Sequence, residues 1–142
     1  MFGFRNEMDS ETMGIDYHNA GEYERAATCF MRGAQNGSEL SISFLAYYYE
    51  RGLGVPQDMN RAFDLYSRIW EYNSEASYKL GFFYENGLGT YRDEEKAVDY
   101  YIRAYREASY GDEDECRPPY NALVRLSGKY PRARQAVLVK KF

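Results

Sequence analysis

A ten-residue stretch of this chain returns 35 positions further on. Leu45-Ala46-Tyr47-Tyr48-Tyr49-Glu50-Arg51-Gly52-Leu53-Gly54 comes back as Leu80-Gly81-Phe82-Phe83-Tyr84-Glu85-Asn86-Gly87-Leu88-Gly89. The register then holds without a gap, so that Asp58 falls on Asp93, Arg61 on Lys96, Ala62 on Ala97 and Tyr66 on Tyr101. A fixed period of this length marks a solenoid, in which no unit buries its apolar face alone and each stacks on its neighbour. Such arrays act mostly through extended surfaces, so function is sought there before it is sought in catalytic groups.

An earlier copy is shorter. Ala26 aligns with Ala62 at a shift of 36, whereas Met13 and Tyr17 align with Leu45 and Tyr49 at a shift of 32. The four missing residues belong to the loop: the later copies carry Gly52-Leu53-Gly54-Val55 and Gly87-Leu88-Gly89-Thr90, and the first has only His18-Asn19-Ala20-Gly21.

Each half of a copy reads as a helix. In the second halves small and apolar residues step i, i+3, i+4, i+7, as in Ala26, Cys29, Phe30, Gly33 and in Ala62, Leu65, Tyr66, Ile69. That period is one buried helical stripe. The first halves pair a large with a small residue, Met13-Gly14, Leu45-Ala46 and Leu80-Gly81, which lets a neighbouring helix approach. Loop glycines permit positive φ and a tight reversal. Asp58 and Asp93 suit helix starts, where a carboxylate satisfies free N–H groups.

These residues resemble two related families. Gly21-x-Tyr23-x-x-Ala26-x-x-x-Phe30 is similar to a tetratricopeptide repeat. Copies two and three resemble Sel1-like repeats, whose Leu-Gly-x-x-Tyr-x-x-Gly-x-Gly pattern stands at Leu80 to Gly89, with Ala46 as the one departure in copy two. The resemblance covers about residues 7–106. It implies an all-α fold, a right-handed α-α superhelix that serves as a scaffold. Hairpins are expected at approximately 7–34, 40–70 and 75–106, then an acidic loop at 107–119 and capping helices within 120–142, all in one repeat domain.

The loop expectation rests on Asp112-Glu113-Asp114-Glu115 beside Pro118-Pro119, since prolines break helices and acid runs solvate. Cys116 then falls in a loop. Leu123, Val124 and Leu126 offer a short helix, and Pro131 suits the first turn of a last one reaching about Lys141.

With 16 Tyr and an aromatic content of 18 %, the chain can pack despite a mean hydropathy of −0.72. Tyr buries a ring while its hydroxyl finds a partner. No apolar run reaches the ~20 residues of a membrane span. The opening Met1-Phe2-Gly3-Phe4-Arg5-Asn6-Glu7 lacks the order of a signal peptide. Together with two isolated cysteines this places the protein in the cytoplasm. Residues 1–117 hold 12 basic and 22 acidic side chains, and residues 118–142 hold six basic and none acidic. The basic tail is expected to complement the acidic body. A body of that charge repels phosphates, so no nucleic-acid partner is expected.

Candidate chemistry is thin. His18, the one histidine, falls at a helix end in a solvated or capping position and lacks an activating partner. The Gly-x-Gly pairs have no Lys-Ser/Thr after them and read as turns. Asp112 to Glu115 lack the alternation and central Gly of a calcium loop. No metal, no cofactor and no enzymatic activity are expected.

The resemblance to tetratricopeptide repeats places one face of each first helix in a concave groove. Here those positions are Glu11, Ile15 and His18, then Ser43, Tyr47, Glu50 and Arg51, then Tyr78, Phe82, Glu85 and Asn86. Aromatic anchors rimmed by acids suit a partner protein with basic residues. Packing of Tyr47 and Phe82 between hairpins is the alternative. Asp112, Glu113, Asp114 and Glu115 are a secondary contact. The role is that of an inhibitor, such as an immunity protein against a bacterial toxin, or of an adaptor or assembly scaffold for short client segments.

Overall fold

The computed structural model describes residues 7–142, and every regular element among them is helical. The order is α1 (Glu7–Asn19), α2 (Tyr23–Gln35), α3 (Glu39–Arg51), α4 (Met59–Ser67), a 3-10 turn (Trp70–Tyr72), α5 (Ser74–Asn86), α6 (Glu94–Glu107), α7 (Glu113–Leu126) and α8 (Pro131–Val137). They gather into two compact units, one ending at Ile69 and one beginning at Trp70.

Repeated sequence produces repeated bonds. The Asp58 side chain accepts from the Arg61 N–H at 3.1 Å, and that of Asp93 from the Lys96 N–H at 3.0 Å, so each caps its helix. The Asp58 N–H donates to the Tyr49 carbonyl at 2.9 Å and the Asp93 N–H to that of Tyr84 at 2.8 Å. Between these closures the chain reverses through Gly52 and Gly87 at φ of 70° and 65°. A cation covers the matching Tyr in all three copies: Arg25 over Tyr17 at 5.8 Å, Arg61 over Tyr49 at 5.3 Å and Lys96 over Tyr84 at 5.3 Å. The cation–Tyr contact is therefore kept across the four-residue loop difference.

In the first unit α1 packs on α2, α2 on α3 and α3 on α4. Ala26, Phe30, Ala46, Tyr48, Ala62 and Ile69 are fully buried there. A Cβ at Gly14 would lie 2.6 Å from the Phe30 ring, which is why the small residue is needed. Met13 departs from the expected stripe. It is 44 % exposed, where its equivalents Leu45 and Leu80 are 5 % and 1 % exposed.

The second unit stacks α5 on α6, α6 on α7 and α7 on α8. Here the acidic loop expected at 107–119 is corrected. Helix α7 begins at Glu113 and runs through Pro118 and Pro119. The Asp112 carboxylate caps it by accepting from the Glu115 N–H at 3.1 Å. Cys116, Pro119, Ala122, Leu123 and Leu126 form its buried face, and that burial outweighs the two hydrogen bonds the prolines remove. Cys116 is accordingly a core residue, not a loop one.

Helix α8 stops at Val137, short of the expected Lys141. The chain beyond it is held by other partners: Tyr105 donates its hydroxyl to the Val139 carbonyl, and Gly111 donates its N–H to the Lys141 carbonyl at 3.1 Å. The tail's cations complement acids of this unit, Arg125 with Glu85, Lys129 with Glu94 at 3.0 Å and Arg132 with Asp99.

Candidate functional site

In the first unit the expected face is largely used internally. Glu11, Ile15, Ser43 and Tyr47 are half-buried and Arg51 is exposed. Arg51 lies over the Tyr47 ring at 5.7 Å, one helical turn away. Glu50 corrects the expectation of a rim charge: it is 7 % exposed and accepts from the Tyr66 hydroxyl at 3.0 Å. His18 is not a solvated cap. Its Nδ1 lies 2.7 Å from the Tyr48 hydroxyl, and its ring contacts Phe44 and Tyr23. Burial first, then Tyr23 and Tyr47, push the Tyr48 hydroxyl up to about 12, so it stays a neutral phenol beside the imidazole.

In the second unit Glu85 is likewise occupied. It accepts from Tyr101 at 2.7 Å and pairs with Arg125. Burial alone would raise its carboxyl, but the donors Arg125 and Tyr101 outweigh this and hold it below the ordinary carboxylate range. Phe82 and Asn86 are exposed on α5, and Asn86 donates to the Phe82 carbonyl at 2.9 Å.

Tyr78 stands apart from these. It is half-buried, its ring 5.7 Å from that of Tyr101. It lines a cleft of about 640 Å³ between α5 and α7, with Asp114, Arg117, Pro118, Asn121 and Arg125 on the opposite wall. A pocket of about 280 Å³ adjoins it, sharing Tyr78, Asp114 and Pro118 and adding Glu75, Lys79 and Glu115. One expected groove residue and one expected secondary contact thus face each other.

The other acids of that run are structural. Asp112 is the cap, Glu113 pairs with Arg117, and Glu115 accepts from Ser74 Oγ at 2.5 Å and from the Ser109 N–H at 2.8 Å. Sequence reasoning missed Arg117, Pro118, Asn121 and Arg125 as cleft residues. Their spacing from Asp114, at i+3, i+4, i+7 and i+11, is one helical face. Taking the prolines as a break hid it.

The Sel1 repeat pattern matches residues 40–69 and 74–109, the two copies whose loop and cap geometry coincide above. Those two segments are Sel1-type repeats. A Sel1 repeat protein from Oxalobacter formigenes superposes over 90 % of this chain and 51 % of its own, with TM-score 0.68 and 24 % identity. A protective antigen of uropathogenic Escherichia coli displaying an SLR fold covers 94 % and 36 %, with TM-score 0.68 and 22 % identity. The cysteine rich protein B of Helicobacter pylori covers 66 % and 68 %, with TM-score 0.56 and 26 % identity. The chain thus spans about half the length of the first of these and about a third of the second. No curated protein sequence matches. Sel1 repeats are in general protein–protein interaction modules and typically non-catalytic scaffolds. No helix among the described residues is long and apolar enough to cross a membrane.

Proposed function

We propose that this Sel1-like chain is a non-catalytic cytoplasmic module that grips a segment of a partner protein in the cleft between α5 and α7. The observation that carries this reading is the cleft of about 640 Å³ with the half-buried Tyr78 on one wall and charged side chains on the other. Phe82, 37 % exposed one turn along α5, supplies a second anchor. Interfaces concentrate their energy in such aromatic anchors within charged rims. A basic partner suits the formal net charge of −4 of the whole chain. Steering by that charge raises association rates.

The test replaces Phe82 by a photo-crosslinking phenylalanine analogue in the whole chain in its native cell, with the exposed Glu95 of α6 as control position. A protein crosslinked from position 82 and not from 95 supports the reading; equal crosslinking from both, or from neither, removes it. One stoichiometric toxin or enzyme among the products identifies an inhibitor of the immunity type, and several short-motif clients identify an adaptor.

A further inference from the structure

The chain carries Asn-Gly twice, at Asn36-Gly37 and at Asn86-Gly87. An asparagine ahead of glycine is chemically labile. The next backbone nitrogen can attack the carboxamide, and glycine has no side chain to obstruct the approach. Both pairs close a helix, α2 in one case and α5 in the other, with the glycine at φ of 84° and 65°. All four residues are exposed. Their surroundings differ.

At Asn86 the carboxamide is held. Its Nδ2 donates to the Phe82 carbonyl at 2.9 Å, and the chain after Gly87 folds back, so that a Cβ there would lie 3.4 Å from Arg92. Asn36 has neither restraint. Its carboxamide enters no hydrogen bond with another described residue, and a Cβ built on Gly37 would meet nothing within 4 Å beyond its chain neighbours. Only backbone bonds hold this turn. The Gly37 N–H donates to the Ala34 carbonyl and the Ser38 N–H to that of Gly33, each at 3.0 Å, the paired closure common at helix C-termini. Such an end opens at far lower free energy than the buried core. Opening frees the Gly37 nitrogen and lets the Asn36 ψ, 3° in the closed turn, swing that nitrogen onto Cγ.

We infer that Asn36 is a site of spontaneous modification, deamidating through a cyclic imide with Gly37 while Asn86 is protected. Hydroxide takes the Gly37 amide proton, and the nitrogen attacks Asn36 Cγ. The new N–Cγ bond forms as the Cγ–Nδ2 bond breaks, and Nδ2 leaves as ammonia. Water then opens the ring at either carbonyl, giving aspartate or isoaspartate. The net change consumes one water and releases one ammonia, with no oxidant or cofactor. Either product acts on the α2–α3 junction. Aspartate sets a negative charge at the C-terminal end of the α2 dipole, where it is unfavourable. Isoaspartate lengthens the main chain by one carbon just ahead of the Gly37 and Ser38 bonds, and Ser38 is also the cap of α3, accepting from the Ser41 N–H at 3.1 Å. The site lies in the first unit and is independent of the cleft.

The full chain is incubated in heavy-oxygen water at mildly alkaline pH, alongside a free peptide spanning residues 33–40. Label is located by mass spectrometry with electron-transfer fragmentation, which separates aspartate from isoaspartate. Labelling at Asn36 is expected to outpace that at Asn86 by about fivefold or more, the scale of the one hydrogen bond that holds Asn86. It is expected to quicken with hydroxide and to give both products. Asn36→Gln, a change at an exposed residue whose longer side chain forms the ring poorly, is expected to abolish labelling at 36 and leave that at 86 unchanged, with the fold intact. Amide exchange at Gly37 and Ser38 is expected to be faster in the converted protein. Labelling at Asn86 equal to or faster than at Asn36 overturns the inference, as does an unlabelled Asn36 once the free peptide is fully converted. Aspartate as the sole product at 36 also overturns it, because direct hydrolysis then replaces the imide.

Discussion

Tyr66 donates its hydroxyl to the Glu50 carboxylate across 3.0 Å, and both residues are buried. The link recurs 35 residues later, where Tyr101 donates to Glu85 at 2.7 Å. In the first hairpin the equivalent positions hold Phe30 and His18, so donor and carboxylate are lost together. His18 meets Tyr48 instead. Tyr66→Phe removes a donor from a buried carboxylate and is expected to lower unfolding stability by about 1–3 kcal/mol. Urea denaturation checks it, and a Tyr66→Phe/Glu50→Gln cycle with no coupling contradicts the pairing.

Ala62 and Ala97 are 0 % exposed at the contact between helices. Ala62→Asp or Ala97→Asp buries an unpaired carboxylate, at a cost of several kcal/mol in order of magnitude, and is expected to unfold its unit. Asp114→Ala is expected to leave the melting temperature unchanged, because Asp114 is exposed and outside the ion pairs of α7. Thermal melts followed by circular dichroism distinguish the three variants.

Gly81 leaves no room for a side chain. A Cβ there would lie 2.7 Å from the Tyr101 ring and 3.2 Å from the Ala97 carbonyl. Gly81→Ala must displace a ring that also holds Glu85, with an expected loss of about 1–3 kcal/mol. A chemical-denaturation midpoint equal to that of the parent chain contradicts this.

Acid should weaken the second unit through Glu85. Its folded carboxyl lies below the ordinary range because Arg125 and Tyr101 outweigh the effect of burial. The linked stability is therefore fully present above the unfolded carboxylate value of about 4.3 and is lost as pH falls through the lower folded value. Glu115, lowered by Ser74 and Ser109, acts in the same direction. The melting temperature is expected to fall below about pH 4 more steeply in the parent chain than in Glu85→Gln. Identical slopes count against the Glu85 contribution.

The repeats were legible because period, stripe and loop glycines agree at every level, down to the Asp58 and Asp93 caps. Two kinds of position were not. Glu50 and Glu85 look like surface charges on a helical wheel, and only their contacts with Tyr66 and Tyr101 reveal them as core acceptors. Helix α7 was hidden by local chemistry. Four acids and two prolines read as a loop, while the buried spacing of Cys116, Pro119, Leu123 and Leu126 argued for a helix. Tertiary burial decided between them. The cleft depends on α7, so it could not be read before that helix was known.

A partner protein held in the cleft between α5 and α7 would shield both helices from solvent. Hydrogen exchange on the complex, with the partner recovered from the position-82 crosslink, tests it most directly. Slowed exchange is expected over Ser74–Asn86 and Glu113–Leu126, with Phe82→Ala speeding dissociation and costing about 2 kcal/mol or more as a hot spot. Protection confined to α6, α8 or the Gly87–Asp93 loop, with affinity unchanged in a folded Phe82→Ala variant, contradicts it.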